Sequence, residues 1–169
     1  MKRVLLLIFA AILICLNLFG CGAPKDKPVT EVWLGDSVET VKKLEPGLEE
    51  QYDRTNTYLS FLSGKRDYAG IEGFLSFQFK PEEQTVGQIS WTVTLPEAEA
   101  QAALDKLNAE TQASFGKPDQ INDNRKTSSD LAPYMCFWNG NGYMVTVSLI
   151  NGLLDGTYNC AYSVIIPLS

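Results

Sequence analysis

The apolar pattern divides the chain into three stretches: an oily leader, a polar spacer and a body in which helical and alternating spacings follow one another. The leader, "VLLLIFAAILICLNLF" from Val4 to Phe19, is apolar except for Asn17 and follows the cationic Lys2 and Arg3. A short positive start before an apolar run of this length has the form of a secretory signal, and the run is barely long enough for the alternative, an uncleaved transmembrane helix. The spacer, "GAPKDKPVT" from Gly22, shows no apolar periodicity. Its glycine, prolines and alternating charges predict an extended tether over 21–32.

In the body, Gly35-Asp36-Ser37 predicts a helix start, because Asp36 or Ser37 can accept the unpaired amide hydrogens of a first turn. Glu39, three residues after Asp36, sits near a capping-box spacing. Val38, Val41, Leu44 and Leu48 mark the inner face, and Pro46-Gly47 ends the element. Three alternating runs then predict strands: "TYLSFLS" from Thr57, "IEGFLSFQF" from Ile71 and "VGQISWTVTL" from Val86, separated by "GKRDYAG" and "KPEEQT", which have turn chemistry. The plan then repeats. Pro96 suits a first helical position; Ala100, Ala103, Leu104, Leu107 and Phe115 form a stripe; Gly116 and Pro118 close it. The polar "QINDNRKTSSD" from Gln120 reads as a loop, and "LAPYMCFW", "GYMVTVSLI" and "TYNCAYSVIIP" read as strands, with an Asn-Gly hairpin signal in "WNGNGY". These elements predict a single α+β domain over 33–169, an antiparallel sheet with helices on one face, built as two α-β-β-β repeats over 33–95 and 96–169. Tyr143, Val145, Val147 and Leu149 show the alternation expected of a strand with one buried face. The opposite face is then open to a protein partner.

Composition narrows the function. With 169 residues and 45% apolar content the chain suits one domain with a real core. Its net charge is −6, and loss of Lys2 and Arg3 with the leader takes the mature chain to about −8. That balance excludes nucleic acid as a natural partner, since phosphates call for clustered Lys and Arg. The chain has no histidine, which removes the commonest general base and metal ligand. No Gly-x-Ser-x-Gly elbow and no phosphate-cradling glycine loop occurs. The carboxylate pairs Glu49/Glu50, Glu82/Glu83 and Glu97/Glu99 fall where acidic residues commonly meet solvent, so a solvated surface is the simpler reading. Asp119, Asp123 and Asp130 supply oxygens without the spacing of a calcium loop. No metal, no cofactor and no catalytic residue is expected.

Cys15 leaves with the leader, and Cys136 and Cys160 remain in the body. If the last three strands form a meander, these thiols stand two strand spacings apart, roughly 9 to 10 Å, beyond the ~7 Å Cα separation that a disulfide tolerates. Unpaired buried thiols are favoured on that arrangement, and pairing needs a different strand order. Trp33, Trp91 and Trp138, with Tyr58, Tyr134, Tyr143, Tyr158 and Tyr162, offer amphipathic aromatics. Most fill the core, and some face outward across the open sheet.

Leu18-Phe19-Gly20-Cys21 resembles the lipobox of bacterial lipoproteins, with Leu three before the cysteine and Gly directly before it; Phe19 stands where a small or hydroxyl residue is usual. The resemblance implies cleavage after residue 20, a diacylglyceryl thioether on Cys21 and a protein held at the cell membrane on its extracytoplasmic side. Gly35-Asp36-Ser37-Val38-Glu39-Thr40-Val41 resembles the opening helix of small envelope lipoproteins of the SmpA/OmlA type. Phe115-Gly116-Lys117-Pro118 is similar to the motif that closes this helix there and in the tandem repeats of beta-lactamase inhibitory protein. These likenesses imply a helix-on-sheet module whose exposed sheet binds other proteins. The expected function is therefore a non-enzymatic, membrane-anchored protein-binding or envelope-assembly module. Its alternatives are a small-ligand carrier or sensor with an aromatic pocket, and a hydrolase with an unfamiliar site.

Overall fold

The computed structural model describes residues 27–125, 131–154 and 156–167. Its elements run α1 (Val38–Leu44), β1 (Glu49–Tyr52), β2 (Leu59–Tyr68), β3 (Ile71–Phe79), β4 (Val86–Pro96), α2 (Glu97–Phe115), β5 (Gln120–Asp123), β6 (Tyr134–Asn139), β7 (Met144–Asn151) and β8 (Thr157–Ile165). All strands join one antiparallel sheet in the order β1-β2-β3-β4-β8-β7-β6-β5. The α+β class with an antiparallel sheet is as expected. No helix among the described residues is long and apolar enough to cross a membrane. The leader and Cys21 lie outside those residues.

Register aligns the apolar alternation of separate strands into continuous rows. Leu62, Phe77, Ile89, Val164, Val145 and Trp138 are successive cross-strand partners from β2 to β6, and all are buried. Leu75, Trp91, Tyr162, Val147 and Cys136 form the next row, also buried. Cross-strand partners share a face, so each row is one contiguous apolar band. Against these bands α2 turns Ala100, Ala103, Leu104 and Leu107, all buried. The small alanines let the helix come close, and the Cys160 thiol reaches the Ala100 carbonyl at 3.3 Å.

Several elements differ from the sequence reading. β1 and β5 are additional strands, and every side chain on both is exposed. They are the two sheet edges, so neither carries an apolar face that alternation could reveal. "GKRDYAG" is mostly strand: β2 continues through Gly64 to Tyr68, and only Ala69 and Gly70 turn, both at positive φ (54° and 73°). Polar Lys65 and Arg66 mimic a loop, but two-residue hairpins of this backbone need only the two left-handed positions. Pro96 ends β4 and stands just before α2, at φ −58° and ψ 152°, rather than occupying its first turn. Ser37, not Asp36, caps α1 by accepting the Thr40 amide hydrogen at 3.3 Å. Asp36 instead accepts the Trp33 amide hydrogen at 2.7 Å. The packed body begins before Trp33: Val32 is fully buried and Thr30 donates to Glu45 at 2.6 Å, so the end of the expected tether belongs to it.

Candidate functional site

The acidic pairs do not converge on a reaction centre. On β1, Glu49 pairs across to Ser63 and Glu50 to Leu62, so successive carboxylates point to opposite sides of the sheet. Lys42 and the Tyr52 hydroxyl both bond Glu50 and hold its carboxyl below the usual range. Lys80 does the same to Glu83 from 3.0 Å. Glu97 and Glu99 occupy the exposed first turn of α2. Of the three aspartates in and beside the polar loop, Asp119 accepts the Asn139 amide hydrogen at 2.6 Å, Asp123 binds Arg125, and Asp130 lies outside the described residues. No cluster of three or more metal-ligating side chains occurs among the described residues.

One catalytic spacing escaped the sequence reading. Ser114-Phe115-Gly116-Lys117 has the Ser-x-x-Lys form. The chemistry of that motif needs serine and lysine on successive turns of one helix. Here Gly116, at φ 78°, ends α2 between them, and Ser114 Oγ donates back to the Glu110 carbonyl at 3.3 Å. The lysine therefore lies beyond the end of the helix that carries the serine.

The thiols are both buried and unpaired, with β7 lying between β6, which carries Cys136, and β8, which carries Cys160. Cys136 closes a ring with α2: its thiol donates to Asn108 Oδ1 at 3.0 Å, Asn108 Nδ2 donates to the Tyr134 hydroxyl at 3.1 Å, and that hydroxyl lies 3.3 Å from the sulfur. Burial pushes the Cys160 thiol up to about 11 and the Tyr68 hydroxyl up to about 12. It also raises the Cys136 and Tyr134 groups. These groups sit neutral in the fold, so the stability they contribute is complete below their unfolded values. It is lost as pH rises through the folded ones. Urea unfolding is therefore expected to give the same stability at pH 7 and 8 and to lose on the order of 1–2 kcal/mol through the Cys160 thiol between pH 9 and 10.5. Cys160→Ala is expected to flatten that decline, and an unchanged slope would show the thiol to be solvated.

Most of the named aromatic side chains fill the core, as expected, and the strand tyrosines do not face outward across the open sheet. Tyr134 and Tyr162 are buried in the apolar bands, and Tyr143 packs edge-on to Trp33 with ring centroids 5.2 Å apart. Tyr158 follows Tyr162 and Cys160 in the β8 alternation, so it too shares the core side, whereas Tyr58, just before β2, is exposed. Positions alternating with the core rows carry something else. Ser63, Ser76, Ser90, Ser163 and Thr146 are successive cross-strand partners, a row of hydroxyls from β2 to β7 that ends on Phe137 of β6. Beside it run Phe74, Thr92, Ala161, Ser148 and Met135. From Phe74 onward these alternate positions of β3, β4, β8, β7 and β6 hold no charged side chain. The chain as a whole carries 34 charged residues, 14 basic and 20 acidic, so this neutrality is local.

No protein-family model, curated protein or solved structure matches the chain. The reading of this face therefore rests on its own residues. A second feature is a recess of about 570 Å³ beside the start of α2, lined by Glu97, Gln101, Arg125, Leu149 and Tyr158 among others. Arg125 already bonds Asp123 through Nε at 2.8 Å and Gln101 through Nη1 at 2.7 Å, and its guanidinium lies 4.7 Å above the Tyr134 ring.

Proposed function

We propose that this chain is a lipid-anchored lipoprotein on the extracytoplasmic side of the cell membrane, acting as a non-enzymatic protein-binding or envelope-assembly module through the neutral face of its sheet. Both helices lie on one side: α2 packs on the apolar bands, and Lys42 of α1 reaches Glu50, which shares the Leu62 side. The body is a duplicated unit of one helix and four strands, α1 with β1 to β4 and α2 with β5 to β8, joined where β4 pairs with β8. On this reading the repeat is α-β-β-β-β, one edge strand longer than the pattern visible in sequence.

The observation that carries the proposal is the uncharged, partly apolar face opposite the helices of an acidic molecule. Interface centres are depleted in charge and enriched in aromatic and methionine side chains, and Phe74, Met135, Phe137 and Met144 give this face that composition. Phe74 is 46% exposed. The leader and the Leu18–Cys21 lipobox support the location. The test is photo-crosslinking in the intact envelope with benzoylphenylalanine placed at Thr92 on the neutral face or at Lys106 on α2. A discrete adduct from Thr92 and none from Lys106 is expected; adducts from neither, or from Lys106 alone, reject the face as the interface. The recess beside α2 favours a small-ligand carrier, but its one guanidinium is already bound within the protein.

A further inference from the structure

Resting on the binding-face reading, we infer that the occupant of this face is an α-helix of a partner protein, lying along β4 and β8 with an uncharged contact stripe and a basic flank toward β2. The floor of the face is made of small side chains, Ser90 and Thr92 on β4 and Ala161 and Ser163 on β8, with Thr146 and Ser148 beyond them on β7. Larger side chains stand on either side, Phe74 on β3 and Met135 and Phe137 on β6. The result is a dish whose long axis follows the strands.

Its dimensions select the occupant. From β3 to β6 there are four strand spacings, about 19 Å. The opening suits a helix of about 10–12 Å diameter and is wide for a single extended strand. Along the strands, from the row of Gln78 and Gln88 to that of Asn159 and Ile150, the dish runs about 20 Å, the length of roughly 13 helical residues. At one end lies an open hollow of about 530 Å³ lined by Gln78, Lys80, Pro81, Gln88, Ile165 and Pro167 among others. That hollow fits a bulky apolar side chain near one terminus of the helix, the kind of buried anchor that dominates interface energies.

Charge fixes the rest. The centre of the dish offers no counter-charge, so a Lys, Arg, Asp or Glu in the contact stripe would be desolvated without a partner. Toward β1 and β2 the same face turns acidic through Glu49 of β1, Asp67 of β2 and Glu72 at the start of β3, with Lys65 held by Glu72 at 2.8 Å. Basic residues on the flank of the incoming helix complement that margin. The hydroxyl row ends there at Ser63, whose Oγ is buried and finds no hydrogen-bond partner among the described residues.

Two labelled model helices of about 16 residues, a length that spans the dish with a turn to spare, test this against the full chain in detergent micelles by fluorescence anisotropy. One carries a stripe of Leu, Ala and Phe with a lysine flank, and the other has two stripe positions changed to Glu. The first is expected to bind at least tenfold more tightly than the second. Thr92→Arg is expected to weaken it at least tenfold and Phe74→Ala about threefold, while Lys106→Glu stays within twofold. Micelle partition would be equal for all three variants, so equal binding by Thr92→Arg and Phe74→Ala overturns the inference. So does a concentration-dependent dimer of the chain that Thr92→Arg abolishes, which would make a second copy the occupant. An envelope adduct from Thr92 whose contact segment is a strand, a loop or a glycan overturns the helix while the binding-face reading stands; absence of any adduct removes that reading itself.

Discussion

Trp91→Ala is expected to destabilise the body by about 4 kcal/mol, the loss typical of truncating a fully buried aromatic. Trp91 is wholly buried at the centre of β4, and its indole Nε1 donates to the Arg66 carbonyl at 3.0 Å. Its ring lies over Gly73 of β3: a Cβ at Gly73 would fall 2.3 Å from two ring carbons. Gly73 is therefore a packing requirement of the tryptophan, and the two substitutions must couple. Gly73→Ala alone is expected to cost about 1–3 kcal/mol through overpacking and almost nothing in the Trp91→Ala background. Urea unfolding of the four proteins closes the cycle. A coupling below about 0.5 kcal/mol would mean that Trp91 does not sit on Gly73.

Cys21→Ala is expected to have the largest effect on location. Wild type should fractionate with membranes and incorporate labelled palmitate, whereas the variant should incorporate none and lose at least nine-tenths of its membrane-bound fraction. Each buried methylene contributes about 0.8 kcal/mol, so two or three acyl chains hold a protein durably where one is marginal. Among the described residues no helix is long and apolar enough to cross a membrane. A Cys21→Ala protein that remains with the membrane unlabelled would mean that the leader stays as an uncleaved helix, and the thioether anchor would be rejected.

How much was legible in the sequence follows from what each residue contributes to its element. The strands carrying Leu75, Trp91, Val147 and Tyr162 were visible because each buries one face in the core, and burial writes period two into the chain. α2 was visible through Ala100, Ala103, Leu104 and Leu107, its buried stripe. β1 and β5 were not, because an edge strand such as "EEQY" or "QIND" is held by backbone pairing with every side chain in water. The β2–β3 hairpin was misplaced because Lys65 and Asp67 look like loop residues one at a time; only alternation with Gly64, Arg66 and Tyr68 makes them strand.

The candidate face was the least legible feature. Single serines at Ser63, Ser76, Ser90 and Ser163 are unremarkable at four places in the chain, and only register aligns them into one row. Strand order could not be read from spacing either: pairing β4 with β8 brings together residues some seventy positions apart, such as Ser90 and Ser163. Which of the strand tyrosines would face outward was illegible for a related reason. Period two places a side chain on one of two faces, but composition does not say which face the helices cover.

The chain itself contains the probe for its central claim. Of its three methionines, Met1 belongs to the leader, while Met135 and Met144 both lie on the neutral face and are half-buried. Peroxide oxidation of these two residues, followed by mass spectrometry on the purified protein and on the same protein in the intact envelope, reads directly whether a partner covers that face. At least fivefold slower oxidation of both in the envelope is the expected result; equal rates in the two settings would mean that the face stays bare where the protein works, and would contradict the account.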